Sequence, residues 1–523
     1  MTFRIGIDVG GTNTDAALMD GTAVRATSKT PTTEDVTAGI VTAVRDILAA
    51  GTIAPADIVG VMIGTTHFTN AVIERRHLAE TAIVRLALPA SESIPPMMDW
   101  PADIRDSVGN HAFMVHGGNE FDGREIHPLV PQELERVAGS IRAAGVTEIA
   151  ISAAFAPVNP AMEDAAAAIL AELLPEASIT RSRDVGQLGL LERENAAILN
   201  AALRPLARRT VAAFRDAIAE LGIAAPLYLT QNDGTLITAG FAEDFPVSTF
   251  ASGPSNSVRG AAFLSGSRNA LVLDVGGTTS DLGVLVDGFP RRSALAVDVG
   301  GVRTNFRMPD VYAFGLGGGS IVTREGDDVR VGPRSVGYRI TEQARVFGGS
   351  TLTATDIAVA AGCATLGDPA RVADLDPALV SAAMTRIREM VSLGVDRMKT
   401  QAGDVDLIVV GGGSILVTDV DGVGELVKPD HYAAANAVGA AIAQISGEVD
   451  RVFSMAEMTR DEAVAPAKAD ATRRAIAAGA DPATVEIVDV EDIPLAYLPG
   501  NATRIRVKAV GDLLQSRSRS NGR

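Results

Sequence analysis

Cysteine is nearly absent from this sequence. Cys363 stands alone, so an intrachain disulfide, a Cys-rich metal centre and a CxxC redox pair are excluded. Set among alanine and glycine, Cys363 reads as a small packing residue rather than a nucleophile. Aromatics make up only 4% of the chain, which leaves Ala, Val, Leu and Ile to fill the interiors that a hydrophobic content of 47% provides. Positive charge is also scarce: a formal net charge of −18 and a pI near 4.9 argue against nucleic-acid binding and against attachment to anionic membranes. Lysine occurs at Lys29, Lys399, Lys428, Lys468 and Lys508, none of them in a Gly-Lys-Ser/Thr loop, which argues against a P-loop ATPase. No apolar run is long enough to span a bilayer, and Met1–Arg4 leads into an expected strand without a signal-like segment, so a cytoplasmic location is expected.

What the sequence does contain is one device written twice. Gly6-Ile7-Asp8-Val9-Gly10-Gly11-Thr12-Asn13-Thr14-Asp15 near the N-terminus matches Leu273-Asp274-Val275-Gly276-Gly277-Thr278-Thr279-Ser280-Asp281 in mid-chain. Each copy lies between two short apolar runs and is followed by a turn pair, Asp20-Gly21 or Asp287-Gly288, so each is expected to be a β-hairpin. A dinucleotide-binding fingerprint would have to open a helix and needs other glycine spacing. Consecutive glycines let backbone N–H groups converge on a phosphate, and Thr12 and Thr278 add hydroxyl donors. Two such loops can grip one polyphosphate from both sides, which points to ATP. Gly10, Gly11, Thr12, Asn13, Gly276, Gly277, Thr278 and Thr279 are the expected nucleotide contacts. Asp8 and Asp274, at strand ends, would serve hydrated Mg2+ and the nucleophile, and are the candidate catalytic residues. A single copy could be an ordinary turn. The letters recur at Asp298-Val299-Gly300-Gly301 without the threonine, and there no second hairpin strand and no phosphate site are expected.

Further along, a helix is expected over Thr32–Ala50, capped by Thr32 or Thr33 with Glu34 and Asp35 in its first turn. A strand over Ile58–Ile63 then delivers Thr65, Thr66 and Asn70 to a cleft, although N-capping would account for the threonines equally well. Between Ala82 and about Arg183 the texture suggests a smaller α/β unit. His111, His116 and His127 in that unit have no common metal-site spacing and read as surface hairpin residues. Two helices, Glu192–Leu203 and Thr210–Leu221, are expected to be separated at Pro205. Ser252-Gly253-Pro254-Ser255-Asn256-Ser257 is expected as a loop entering a helix. Gly315–Ser320 is either a close approach to substrate, with Gly318 in the cleft, or a flexible crossing. A helix over Pro377–Thr400 precedes a buried strand, Leu407–Val410, and Gly411, Gly412 and Gly413 after it are the adenosine-side candidates. An Ala/Gly-rich helix is expected over Tyr432–Ile445, a further helix near Ala471–Ala478, and two strands, Val485–Val490 and Arg504–Val510, around Pro499-Gly500. Gln515–Arg523 reads as a disordered tail. A chain of 523 residues exceeds one core, and the expected units are 1–81, 82–188, 189–460 and 461–523.

The order of hairpin, helix, hairpin, Gly-rich loop and Ala/Gly-rich helix resembles the sugar kinase/Hsp70/actin superfamily. Within it, the chain is similar to the hydantoinase A/5-oxoprolinase family through Gly6–Asp15, Gly64–Arg75, Arg193–Leu203, Ser252–Ala261, Asp274–Asp281 and Gly315–Ser320. The resemblance implies an α/β fold of duplicated actin-like, ribonuclease H-like halves around a nucleotide cleft. It also implies ATP- and Mg2+-dependent O-phosphorylation of a cyclic amide such as a hydantoin, a lactam or 5-oxoproline. A companion hydrolase chain would complete ring opening in a hetero-oligomer. The region Gly337–Gly349 lacks the proline- and cysteine-bearing segment of long family members, so the likeness is to a short branch and does not carry over a particular ring. A small-molecule kinase and an ATP-switched activator or assembly protein remain alternatives on the same fold.

Overall fold

A computed structural model describes residues 3–31, 36–293, 296–326, 328–456, 458–495 and 501–514. Both glycine-rich copies are hairpins. Phe3–Val9 pairs antiparallel with Asn13–Asp20, and Ala270–Val275 with Ser280–Val286. Each first strand also takes a parallel neighbour on its other side, Ile58–Thr65 in one sheet and Val405–Val410 in the other. The two sheets therefore repeat one local topology around a buried central strand, and the fold is the expected duplicated, mixed α/β, actin-like ATPase type.

The first sheet has nine strands, in the order Glu486–Pro494, Thr503–Gly511, Ile445–Phe453, Leu236–Thr238, Leu227–Thr230, Ile58–Thr65, Phe3–Val9, Asn13–Asp20 and Ala23–Pro31. The C-terminal segment thus completes a sheet begun by residue 3. The second sheet runs Phe289–Pro290, Ser280–Val286, Ala270–Val275, Val405–Val410, Val423–Val427, with Val311–Phe314 also on Ser280–Val286. Between the halves, the helices Ser252–Ser265 and Ala435–Ala441 cross at very short range. A Cβ on Gly260 would lie 1.8 Å from the Ala435 carbonyl, and one on Gly439 would lie 1.9 Å from that of Asn256. Small residues here are a steric requirement of the junction.

The smaller unit is a parallel sheet in the order His111–His116, Thr81–Leu88, Glu148–Ala153, Ser178–Arg181. His111 and His116 therefore bound a strand of a parallel sheet, not a surface hairpin. His116 Nδ1 lies 2.9 Å from Glu133 Oε1, and its ring centroid is 4.5 Å from that of His127. Among the described residues no group of three or more His, Cys, Asp or Glu side chains is placed to hold a metal.

Other expectations are corrected. One helix, Leu190–Glu220, runs straight through Pro205. Its apolar face continues across the proline through buried Leu203, Leu206 and Ala207, and this packing outweighs one lost N–H donor. The Ala/Gly-rich helix is shorter than expected: a 3-10 turn, Tyr432–Ala434, leads into Ala435–Ala441, because Ile445 already belongs to the nine-stranded sheet. The following helix begins early, at Arg460, where Thr459 and Glu462 form a capping box. Ser252–Ser257 is itself the first turn of a helix, with Pro254 in a position that needs no intrahelical donor. Asp298-Val299-Gly300-Gly301 does have a second hairpin strand, Val302–Thr304, and Gly300 and Gly301 both take positive φ in the two-residue turn. The helix observed over Val36–Gly51 matches the expected one, while its proposed caps Thr32 and Thr33, with Glu34 and Asp35, lie outside the described residues, as do Pro499-Gly500 and the tail from Gln515.

Candidate nucleotide cleft

The tips of the two hairpins face each other. A Cβ built on Gly277 would sit 3.1 Å from Thr12 Cγ2. Each tip is closed by one internal bond, Gly10 N–H to the Asn13 carbonyl at 3.0 Å and Gly276 N–H to the Thr279 carbonyl at 2.9 Å. These bonds close the turns, and among the described residues the N–H groups of Gly11, Thr12, Gly277 and Thr278 make no backbone hydrogen bond. Four such donors on two opposed turns make these tips candidate anion contacts.

Behind the tips lie four carboxylates. Asp8 is paired across its hairpin with Asp15, and Asp274 with Asp281. Burial, together with the nearby Asp15 and Asp274 charges, pushes the Asp8 carboxyl up to about 7. Burial and Asp274 push Asp281 up to about 7, and burial also raises Asp274. Such mutual repulsion is what a cation would relieve. All four are hard oxygen donors, suited to Mg2+ carried on water and phosphate rather than to a direct protein cage.

Sequence-distant residues hold these carboxylates. Asn436 Nδ2 donates to Asp8 Oδ2 at 2.9 Å and to Asp15 Oδ2 at 3.2 Å. Asn256 Nδ2 reaches Asp8 Oδ1 at 3.4 Å and Thr230 Oγ1 at 3.0 Å, while the Ser257 hydroxyl donates to Asp274 Oδ2. Asn256 and Asn436 sit on the two crossing helices, so the interlobe junction and the carboxylates share side chains. Asn436 went unremarked in the sequence, although its signal is there: a lone polar residue in a helix of alanine, valine and glycine.

The expected adenosine loop lies against the second hairpin. Gly413 N–H donates to the Val275 carbonyl at 2.7 Å, and Gly411, at φ +86°, packs so closely that a Cβ would lie 2.2 Å from Asp274 Oδ1. Gly412 is exposed beside them. Gly318 is buried behind the same hairpin: its N–H donates to the Gly276 carbonyl at 3.0 Å and its carbonyl accepts from Thr355 Oγ1 at 2.9 Å. At the other wall, Thr65 is buried, accepts from His67 N–H through its hydroxyl, and exchanges two bonds with Ser252 Oγ. Thr66 and Asn70 are partly exposed and bonded to each other at 3.4 Å, and Gly253 faces the Thr66 methyl. The expected site residues thus converge on one interlobe region, with Thr65 and Gly318 engaged in holding its walls.

Comparison with known proteins gives a consistent picture. The family model for the hydantoinase/oxoprolinase N-terminal region matches residues 4–174, and that for hydantoinase/oxoprolinase matches residues 193–398. Caprolactamase subunit alpha of Pseudomonas jessenii is 27% identical over 429 residues, covering 76% of this chain and 60% of the relative. The acetophenone carboxylase gamma subunit of Aromatoleum aromaticum is 28% identical over 257 residues, covering 46% of this chain and 34% of its own length. The chain therefore spans between about a third and three fifths of the curated relatives it matches. Among solved structures, the ATP-dependent caprolactamase of Pseudomonas jessenii superposes with a TM-score of 0.74 at 20% identity, over 98% of this chain and 88% of that one. A nucleotide-free acetone carboxylase superposes with a TM-score of 0.69 at 18% identity, over the same shares. No helix among the described residues is long and apolar enough to cross a membrane.

Proposed function

The chain belongs to the hydantoinase/oxoprolinase family, and from that membership and the cleft we propose that it uses Mg-ATP to phosphorylate the carbonyl oxygen of a cyclic amide. The observation that carries this reading is the pair of opposed turns whose free N–H groups flank Asp8 and Asp274. An unstrained amide is a poor electrophile. Transfer of the γ-phosphoryl group to its oxygen, with ADP leaving, gives an O-phosphoryl imidate. Water adds at its carbon, the C–N bond breaks to open the ring, and a second water cleaves the resulting acyl phosphate to carboxylate and phosphate. Gly10–Asn13 and Gly276–Thr279 hold the phosphates and keep the reacting groups in line. Gly411–Gly413 lie at the nucleoside, and Thr66 and Asn70 line the acceptor side, with Thr65 and Gly318 fixing the walls. Mg2+, when bound, neutralises charge developing on the phosphates. Asp8 and Asp274 orient its hydration shell and the attacking oxygen, each held in place by Asn436, Asn256 or Ser257. The names of the relatives as alpha and gamma subunits support a companion chain that completes hydrolysis.

The carboxylase relatives favour a second acceptor class, the carbonyl oxygen of a ketone. Both readings are tested by ADP release from the purified chain with Mg-ATP and a panel of hydantoins, lactams, cyclic imides and, with bicarbonate, ketones. Stimulation by one class, lost in Asp274→Asn, is the expected result. Substrate-indifferent ADP formation, with or without a companion chain, would instead identify an ATP-driven switch.

A further inference from the structure

Lys29 stands apart from the other lysines. It lies on Ala23–Pro31, the third strand of the first half, directly across from Asp15, and its Nζ is 2.6 Å from Asp15 Oδ1. The side chain is 38% exposed, whereas that of Asp15 is 5% exposed, so the pair has one open side. Its stem reaches the opposite half: Lys29 Cε lies 3.9 Å from where a Cβ on Gly412 would be. Its charge also acts on Asp274, the carboxylate of the second hairpin. One lysine side chain therefore pairs with the base of the first phosphate hairpin and runs close to the Gly-rich loop beside the second.

A polyphosphate entering between the hairpins meets Asp8, Asp15, Asp274 and Asp281, and its own negative charge must be balanced. A lysine ammonium is a compact point charge with three rotatable donors, so it can change partners without rebuilding the backbone. We propose that Lys29 is a nucleotide-binding residue that exchanges Asp15 for the polyphosphate when ATP enters, tying the two halves together through the ligand. This rests on the reading of the cleft as an ATP site. The exchange makes and breaks only ion pairs.

The test is equilibrium binding of ATP, ADP and adenosine, each with Mg2+, to the full chain and to Lys29→Met and Lys29→Arg. A charge-assisted contact to phosphate predicts that Lys29→Met weakens ATP by about tenfold or more while adenosine binding is unchanged. Lys29→Arg, which keeps the charge, should recover most of the loss. Retained adenosine affinity shows in the same experiment that the cleft is folded. Equal loss of ATP and adenosine, or ATP affinity within twofold of the wild type in Lys29→Met, overturns the proposal. Failure of the unaltered chain to bind Mg-ATP overturns the ATP reading itself, a result distinguishable from either of these.

Discussion

At the level of single residues, the cleft stores electrostatic cost in its carboxylates. Folding moves the Asp8 carboxyl from its ordinary value near 3.8 up to about 7, chiefly through burial. The folded state therefore holds a proton that the unfolded chain has lost, and stability falls as pH rises through this window. For a group shifted this far, the loss between pH 5 and pH 8 is roughly 2–3 kcal/mol. Asp8→Asn removes the titration, so urea denaturation of the ligand-free chain should show a correspondingly smaller drop between those pH values. The same variant should not turn over ATP. A drop of undiminished size would assign the pH dependence to other groups. The Asp residues and glycines of the hairpins were legible in the sequence because turn chemistry is local: eight consecutive residues, Asp8–Asp15 or Asp274–Asp281, carry the whole motif. Lys29, Asn256, Ser257 and Asn436 were not assigned their roles, because each meets its carboxylate through strand pairing or helix crossing that sequence spacing does not encode.

Elements show the same division between local and distant causes. Hairpins, and helices such as Pro377–Met398 with an Asp cap and an apolar stripe, are specified by their own residues. The helix through Pro205 and the shortened helix at Ala435 are not. In the first, packing on both sides of a helix breaker overrides propensity. In the second, the sheet claims Ile445 before a long helix can form. The short helix survives on contacts alone, since all of its small residues face something buried. That makes Gly439 a sensitive position. A methyl group there would meet the Asn256 carbonyl at 1.9 Å, and backbone cannot yield as a side-chain tip does. Separating the crossing helices would draw Asn256 and Asn436 away from Asp8. Gly439→Ala should therefore cost about 3 kcal/mol or more in denaturant unfolding. It should also lower ATP turnover at temperatures where the variant remains folded. Full activity in a destabilised Gly439→Ala would separate the junction from the site.

On the scale of the whole molecule, the C-terminal strands reach back to both halves. Arg307, from the second half, pairs with Glu448 and lies 2.7 Å from Asp450 on Ile445–Phe453. On the neighbouring strand, Arg504 bonds the same Asp450, and buried Lys508 lies 2.6 Å from Asp233 in the turn after Leu227–Thr230. Lys508 holds the Asp233 carboxyl far below the usual range, so this pair stabilises the fold above the unfolded carboxylate value and loses that contribution as pH falls. Burial pushes Lys508 down to about 8, so the attraction within the pair also fades as pH rises past that value. Lys508→Met removes the nearest cation, and Asp233 then rises toward its unfolded value because burial is opposed by the weaker effects of Thr235 and Arg292. The variant's deficit relative to the wild type is therefore largest at neutral pH and smaller toward pH 4. The expected neutral-pH cost is about 3 kcal/mol, because a buried carboxylate loses its direct ion-pair partner and keeps only the more distant Arg259 and Arg292. Adding Asp233→Asn removes that charge while Thr235 can still bond the amide oxygen, and the double variant should regain most of the loss. Denaturant unfolding of both single variants and the double variant at pH 5 and pH 7, below the Lys508 transition near 8, measures the coupling directly. If the double variant were as unstable as Lys508→Met, the lysine would act through packing against Phe289, whose ring centroid lies 5.1 Å from its Nζ, rather than through charge.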